Sequence, residues 1–160
     1  MGVKKVLTII SSMKKEPIDV ATRRGFRAEE KAFEAARYWR KKKLIKGVKR
    51  TEGFSPEDRE GKDLIILLRN GEEIGIDVKT TLTAQAFKEA QERRVELFFV
   101  DPEEKIESVR ERMLGLIIRK YFSKLEIPQI REIVRSLKNI KKASRSRKIK
   151  KLVEFLRKAF

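Results

Sequence analysis

The sequence contains no cysteine and no histidine among its 160 residues. The absence of cysteine excludes disulfide bonds and thiolate metal sites, and nothing indicates an oxidising compartment. The absence of histidine excludes serine-histidine and cysteine-histidine catalysis, imidazole zinc sites and the usual general base near neutral pH. Any chemistry must therefore use carboxylates, lysine, tyrosine, serine or threonine.

Long apolar runs are also missing. The longest is the five-residue LIILL, and the early VLTII lies between lysine pairs with no small-residue cleavage site behind it. We therefore expect no membrane span and no signal peptide, and we interpret the chain as a soluble, cytoplasmic protein. Hydrophobic residues still make up 40% of the chain, which is enough for one domain with a real core.

Acidic residues are scarce in two segments of a chain whose formal net charge is +17. Residues 37–50 contain eight Lys or Arg and no acid, and residues 131–160 contain twelve Lys or Arg and two acids. Such basic stripes attract polyanions and release their counterions, so we expect a nucleic-acid partner, although solvated helix faces are the simpler interpretation. The residues expected to contact phosphates are Arg37, Arg40, Lys41, Lys42, Lys43, Lys46, Arg145, Arg147, Lys148, Lys150 and Lys151.

Apolar spacing and turn residues predict the order helix, three strands, helix, strand, and then only helices. We therefore predict an α/β core with a mixed sheet over residues 23–100, after an N-terminal segment over 1–22 and before a basic helical extension over 101–160. In detail, helices are predicted over 23–45, 83–94, 103–124, 128–141 and 147–160, a brief strand and a turn around Gly53 within 46–54, strands over 63–68, 72–80 and 95–100, and a polar loop over 55–62. Asp101 is predicted to cap the helix that starts at 103.

The hairpin GKDLIILLRNGEEIGIDVKT places two aspartates close together. A three-residue turn ending in a left-handed Gly71 sets Asp63 opposite Asp77, whereas a strict two-residue Asn-Gly turn sends them to opposite faces. In the first register Asp77 and Lys79 share a face. Facing carboxylates repel each other, so they could share a proton, bind Lys79 or coordinate Mg²⁺; a surface salt-bridge network is the alternative.

Glu29 is a third acid of interest. It lies on the small and apolar stripe of the first helix, where a carboxylate is unfavourable without a partner. We interpret it as a site residue, and the alternative is a helix-flank residue paired with a nearby Arg or Lys.

These residues resemble the PD-(D/E)XK nuclease superfamily, to which restriction endonucleases and archaeal Holliday-junction resolvases belong. GFRAE resembles the Gly-x-x-x-Glu helix, GKD the first acid, and DVK the acid-x-lysine triplet. The resemblance covers about residues 23–100, and the predicted order of elements is that of the family core. Lys62 stands where the family name has proline, and the last acid is Asp77 instead of the commoner glutamate.

The resemblance implies a restriction-endonuclease-like core and an Mg²⁺- or Mn²⁺-dependent enzyme that hydrolyses DNA. Asp63, Asp77 and the carbonyl of Val78 would hold the metal, Lys79 would position or deprotonate the attacking water, and Glu29 would hold a second metal or a water. Thr80 or Gln85 could touch a phosphate. Double-stranded or branched DNA would be the substrate, and two cuts in a duplex would favour a homodimer.

A non-catalytic protein that binds DNA or RNA and keeps this fold is the rival interpretation. Nearly all excess positive charge lies outside the candidate site, and IPQIREIVRSLKN could form a weak helix-turn-helix-like reader. An RNA-cleaving enzyme of the splicing-endonuclease type is disfavoured, because by resemblance it needs a histidine base.

Overall fold

The computed structural model describes residues 19–53, 55–138 and 145–159, so most of the N-terminal segment predicted over 1–22 lies outside it. The described residues form four strands and six helices. In chain order these are α1 (Val20–Lys41), β1 (Gly47–Arg50), α2 (Pro56–Arg59), β2 (Leu64–Leu67), β3 (Glu73–Lys79), α3 (Ala84–Arg93), β4 (Glu96–Phe99), α4 (Ile106–Phe122), α5 (Ile127–Lys138) and α6 (Arg145–Ala159). The predicted mixed α/β class is confirmed.

The four strands form one mixed sheet in the order β1-β2-β3-β4. The first two neighbouring pairs are antiparallel, and β3 and β4 are parallel. Leu64 lies opposite Ile76, and in the turn the N–H of Leu68 donates to the carbonyl of Glu72 at 2.8 Å. Gly71 has a φ of +87°, the left-handed conformation that a three-residue turn requires. This is the hairpin register that favours a shared site for the two aspartates.

One face of the sheet packs against α1 because that helix presents a stripe of alanines. Ala28, Ala32, Ala35 and Ala36 are fully buried, and side chains this small let the helix approach the strands closely. The same core cluster contains Met113 of α4 and buried residues of α5 and α6. The C-terminal helices therefore share one hydrophobic core with the sheet. No helix within the described ranges is long and apolar enough to cross a membrane.

The first helix ends earlier than the predicted residue 45. Lys43 adopts a left-handed φ of 59°, and its N–H donates to the carbonyl of Arg40 at 2.8 Å, which closes the helix after Lys41. Leu44 and Ile45 therefore leave the helix and are buried in the core. Their apolar side chains extend the helical spacing of the sequence, which is why the helix was predicted to reach residue 45. The turn at Lys43 instead places both side chains in the core.

The loop before β2 and the helix after β4 also differ from the prediction. The polar loop between β1 and β2 contains the one-turn helix α2, because the Ser55 hydroxyl accepts the N–H of Asp58 at 3.2 Å. The helix predicted from residue 103 begins at Ile106 instead. Asp101 does not cap it, because its carboxylate accepts the N–H of Glu103 at 3.0 Å within a local turn.

Candidate active site

Asp63 directly precedes β2 and is fixed through its backbone to both neighbouring strands. Its N–H donates to the carbonyl of Ile76 at 2.8 Å, and its carbonyl accepts the N–H of Thr51 at 3.0 Å and the hydroxyl of the same residue at 3.1 Å. The paired residues of β2 and β3 end at Leu64 and Ile76, so Asp63 and Asp77 lie just beyond the ladder. The two acids therefore occupy the same end of two adjoining strands.

The carboxylate of Asp63 crosses to β3. Its Oδ2 accepts the backbone N–H of Val78 at 2.6 Å. The next residue, Lys79, turns its backbone the other way, since its carbonyl accepts the N–H of Val100 beyond β4 at 2.9 Å. Because the N–H and C=O of one strand residue point to the same side, the carbonyl of Val78 faces β2 and Asp63. The Val78 carbonyl oxygen, which is expected to help hold a metal, thus faces Asp63.

Asp77 is the only charged side chain in the buried class among the described residues, with 3% of its surface exposed. Its Oδ1 lies 2.8 Å from Nζ of Lys79, whose side chain is 39% exposed. The two residues share a face because side chains alternate along a strand. The ion pair therefore joins a buried carboxylate to an ammonium group that solvent can reach.

Gly75 shares that face of β3 and makes room for Lys62. A Cβ at Gly75 would lie 3.0 Å from carbons of the Lys62 side chain, which packs over it. The Lys62 ammonium pairs with Glu60. Close by, Gly61 has a φ of +71° and lies against the side chain of Arg93 of α3. A second lysine stem thus covers the strand beside the candidate site.

Glu29 is paired with Arg50 of β1, a residue that the sequence analysis did not identify. The Arg50 Nη2 lies 3.3 Å from Glu29 and its Nη1 lies 2.8 Å from Glu30, while the guanidinium sits 5.4 Å from the ring centroid of Phe26. The Glu29 side chain is 32% exposed, so it lies at the edge of the alanine stripe. It has the basic partner that the alternative interpretation foresaw.

The pKa of Asp63 is raised to about 7, chiefly by burial. The nearby negative charges of Asp77 and Glu29 contribute to the same rise. The Val78 N–H and the Lys79 ammonium oppose this rise in the pKa of Asp63. The carboxyl group is therefore close to half protonated near neutral pH. The negative charges of Asp77 in β3 and Glu29 in α1 thus act on the carboxyl group of Asp63, which directly precedes β2.

The donor atoms suit a hard divalent cation in their chemistry. Mg²⁺ is usually held by one or two carboxylates, waters and substrate phosphates, and carboxylates together with a carbonyl oxygen are donors of this kind. No group of three or more acids within the described part of the chain is arranged to hold a metal. Each carboxylate instead contacts a protein donor or cation. The residues that could hold the ion are Asp63, Asp77 and Val78, with Glu29 further out.

The eleven basic residues expected to contact nucleic acid all have exposed side chains. Those on α1 begin at Arg37, eight residues or about 12 Å along the helix axis from Glu29. Of the two further candidates, Gln85 is exposed and donates to Glu89 at 2.8 Å, and Thr80 is partly buried directly after β3. The basic surface and the acid site therefore occupy different parts of α1.

Asp63→Asn should change how stability depends on pH. The folded state holds the Asp63 proton with a pKa of about 7, and an exposed aspartate releases it near 3.8. The folded state thus binds more protons between these values, so this group lowers the free energy of unfolding as pH rises from about 4 to about 7. We expect the variant to exceed wild type by about 1 to 2 kcal/mol at pH 8, after allowance for solvent screening, and to show no gain at pH 4.

Urea unfolding at several pH values measures this difference. Glu73→Gln, at an exposed position of β3, removes the same charge and should show no such gain.

Mg²⁺ should raise the melting temperature of wild type at pH 8 more than that of Asp63→Asn, because an ion held by this carboxylate stabilises only the folded state. An equal response of the two proteins to Mg²⁺ would remove the metal from Asp63.

The chain was compared with family models, with curated proteins and with solved structures. None of the three comparisons found a match.

Proposed function

We propose that this protein is a Mg²⁺- or Mn²⁺-dependent nuclease that hydrolyses phosphodiester bonds in DNA, built on a restriction-endonuclease-like core over residues 23–100. The observation that carries the proposal is the convergence at the ends of β2 and β3. Asp63 reaches Val78 at 2.6 Å, and beside them Asp77 holds the ammonium of Lys79 at 2.8 Å. The order of helices and strands supports it.

In this proposal Asp63, Asp77 and the Val78 carbonyl would hold one cation. When bound, that cation supplies a positive charge that acidifies a water and offsets the charge developing on the phosphate. The Lys79 side chain is partly exposed, whereas its partner Asp77 is buried. The Lys79 ammonium would therefore orient the attacking water or donate to a phosphate oxygen. Burial of Asp77 keeps its carboxylate in one position.

Glu29 would take part through Arg50. In the structure the guanidinium bridges Glu29 and Glu30 at the edge of the site. A DNA phosphate is a strong competing acceptor for a guanidinium, because it also accepts charge-assisted hydrogen bonds. Arrival of substrate would therefore draw Arg50 towards the phosphate and release Glu29 to hold a water or a second metal.

Cleavage assays on plain, flapped and branched DNA test this function. Each substrate is incubated with Mg²⁺, with Mn²⁺ and with EDTA. We expect cleavage of at least one substrate with either metal and none with EDTA. A protein that binds all three substrates and cuts none of them would refute the nuclease proposal.

A non-catalytic nucleic-acid-binding protein is the second candidate. It is favoured by the fact that each acid of the site already has a protein partner and that no metal-holding group of three acids occurs within the described ranges. Such a protein would bind DNA without requiring a divalent cation. Its affinity would depend on the exposed basic residues alone.

A further inference from the structure

The two basic segments of the sequence meet at one cleft. Lys42, the C-cap of α1, belongs to the first segment, and Arg145, Lys150 and Arg157 of α6 belong to the second. All four line a cleft of about 670 Å³ between α1, α4 and α6. More than a hundred residues separate Lys42 from α6 in the chain, so the fold concentrates cations that are distant in sequence.

The walls between these cations are apolar and aromatic. The ring of Tyr38 and the indole of Trp39 form one wall, in an edge-to-face arrangement with centroids 4.9 Å apart. Leu114 of α4 and Ile149 and Val153 of α6 complete the apolar lining. Trp39 is the only tryptophan in the chain, and its Nε1 donates to the carbonyl of Arg110 in α4 at 2.8 Å. The cleft thus combines aromatic and aliphatic side chains with a positively charged rim.

Arg110 of α4 contributes its guanidinium to the lining of the cleft. Its guanidinium lies 4.6 Å from the ring centroid of Tyr38, and its Nη2 bonds Glu34 at 2.9 Å. Its Nε is buried and has no hydrogen-bond partner among the described residues. Three acids also line the cleft against five cations, and one of them, Glu111, is neutralised by Arg145 at 2.8 Å. An anionic acceptor is therefore the complementary ligand.

In the structure the Lys42 ammonium lies over the Tyr38 ring, 5.5 Å from its centroid. We propose that this cleft binds a single strand of nucleic acid: a base replaces that ammonium against the Tyr38 ring and the apolar wall, and the backbone phosphates lie beside Lys42, Arg110 and Lys150. Sites for single strands combine aromatic stacking surfaces with a basic groove, and both features meet here. The volume lies in the range of small-molecule sites and suits one or two nucleotides. This inference goes beyond the proposed nuclease activity and does not depend on it.

Two double variants distinguish binding in the cleft from general attraction of nucleic acid to positive charge. Lys42→Ala/Lys150→Ala removes two cations that line the cleft, whereas Lys41→Ala/Lys151→Ala removes their exposed neighbours in the chain. Binding of a fluorescently labelled dT12 oligonucleotide is measured by anisotropy in EDTA, so that no cleavage is needed. We expect the first variant to lose about tenfold or more in affinity and the second to lose about threefold or less. Equal losses would overturn the proposal.

Trp39 gives a readout from the cleft itself. We expect unlabelled dT12 to change the tryptophan fluorescence of wild type saturably, and Tyr38→Leu, which keeps an apolar side chain, to weaken dT12 binding about fivefold or more. Thymidine monophosphate should bind at least about tenfold more weakly than dT12, because a strand engages several cations. Equal affinity for the two ligands, or a fluorescence insensitive to dT12, would overturn the single-strand site. Failure of the cleavage assays would leave these binding results unaffected.

Discussion

Replacement of Asp77 by asparagine is expected to reduce DNA hydrolysis by at least about a thousandfold and to change DNA affinity by less than about threefold. Asp77 is buried and is one of the two carboxylates assigned to the cation, and asparagine has its shape without its charge. DNA affinity should persist because, under the proposed function, the phosphate contacts would be spread over many exposed cations. Single-turnover cleavage and anisotropy titrations measure the two quantities separately.

Glu73→Gln is the matched control for this variant, because it removes one negative charge from an exposed position of the same strand. It should cleave DNA at the wild-type rate. A variant Asp77→Asn that loses DNA binding altogether would contradict the division between a catalytic acid site and a separate basic surface. A variant that cleaves at the wild-type rate would remove Asp77 from catalysis.

Replacement of Lys79 by methionine is expected to reduce hydrolysis by at least about a hundredfold, the usual contribution of a group that positions or transfers a proton. It also leaves the buried carboxylate of Asp77 without its cation. We expect a loss of about 1 to 2 kcal/mol in the free energy of unfolding, less than for a fully buried pair because Lys79 is partly exposed. Cleavage kinetics and urea unfolding measure the two effects.

Mg²⁺ provides an internal control for the Lys79 variant. In wild type the ammonium competes with a metal for Asp77, so Mg²⁺ should stabilise Lys79→Met more than it stabilises wild type. Lys88→Met, which removes an exposed lysine of α3, should respond to Mg²⁺ as wild type does. A smaller stabilisation of Lys79→Met than of wild type would argue against a metal at Asp77.

The hairpin was predictable because its register depends on local turn chemistry. Gly71 at the end of a three-residue turn fixes how β2 pairs with β3, and the side-chain alternation then follows. The positions of Asp63, Asp77 and Lys79 relative to one another are therefore encoded within twenty residues. The mixed α/β class followed from the same periodic patterns.

Arg50 could not be identified in the same way. It lies opposite Leu64 in the pairing of β1 with β2, but a long connection containing α2 joins these strands, and no tight turn fixes their register. The contact between Arg50 and Glu29 also depends on how α1 packs across the sheet. The cleft around Tyr38 likewise arises from packing of α4 and α6 against α1, which depends on tertiary contacts that no local pattern specifies.

Asp63 and Asp77 are proposed to hold one divalent cation together. A crystal structure of the protein soaked in Mn²⁺, with the ion located by its anomalous signal, tests this claim most directly. We expect a single strong site with one oxygen of each carboxylate at about 2.2 Å from the ion. An ion bound by only one of the two carboxylates, or no ion at this end of the sheet at saturating Mn²⁺, would contradict the claim.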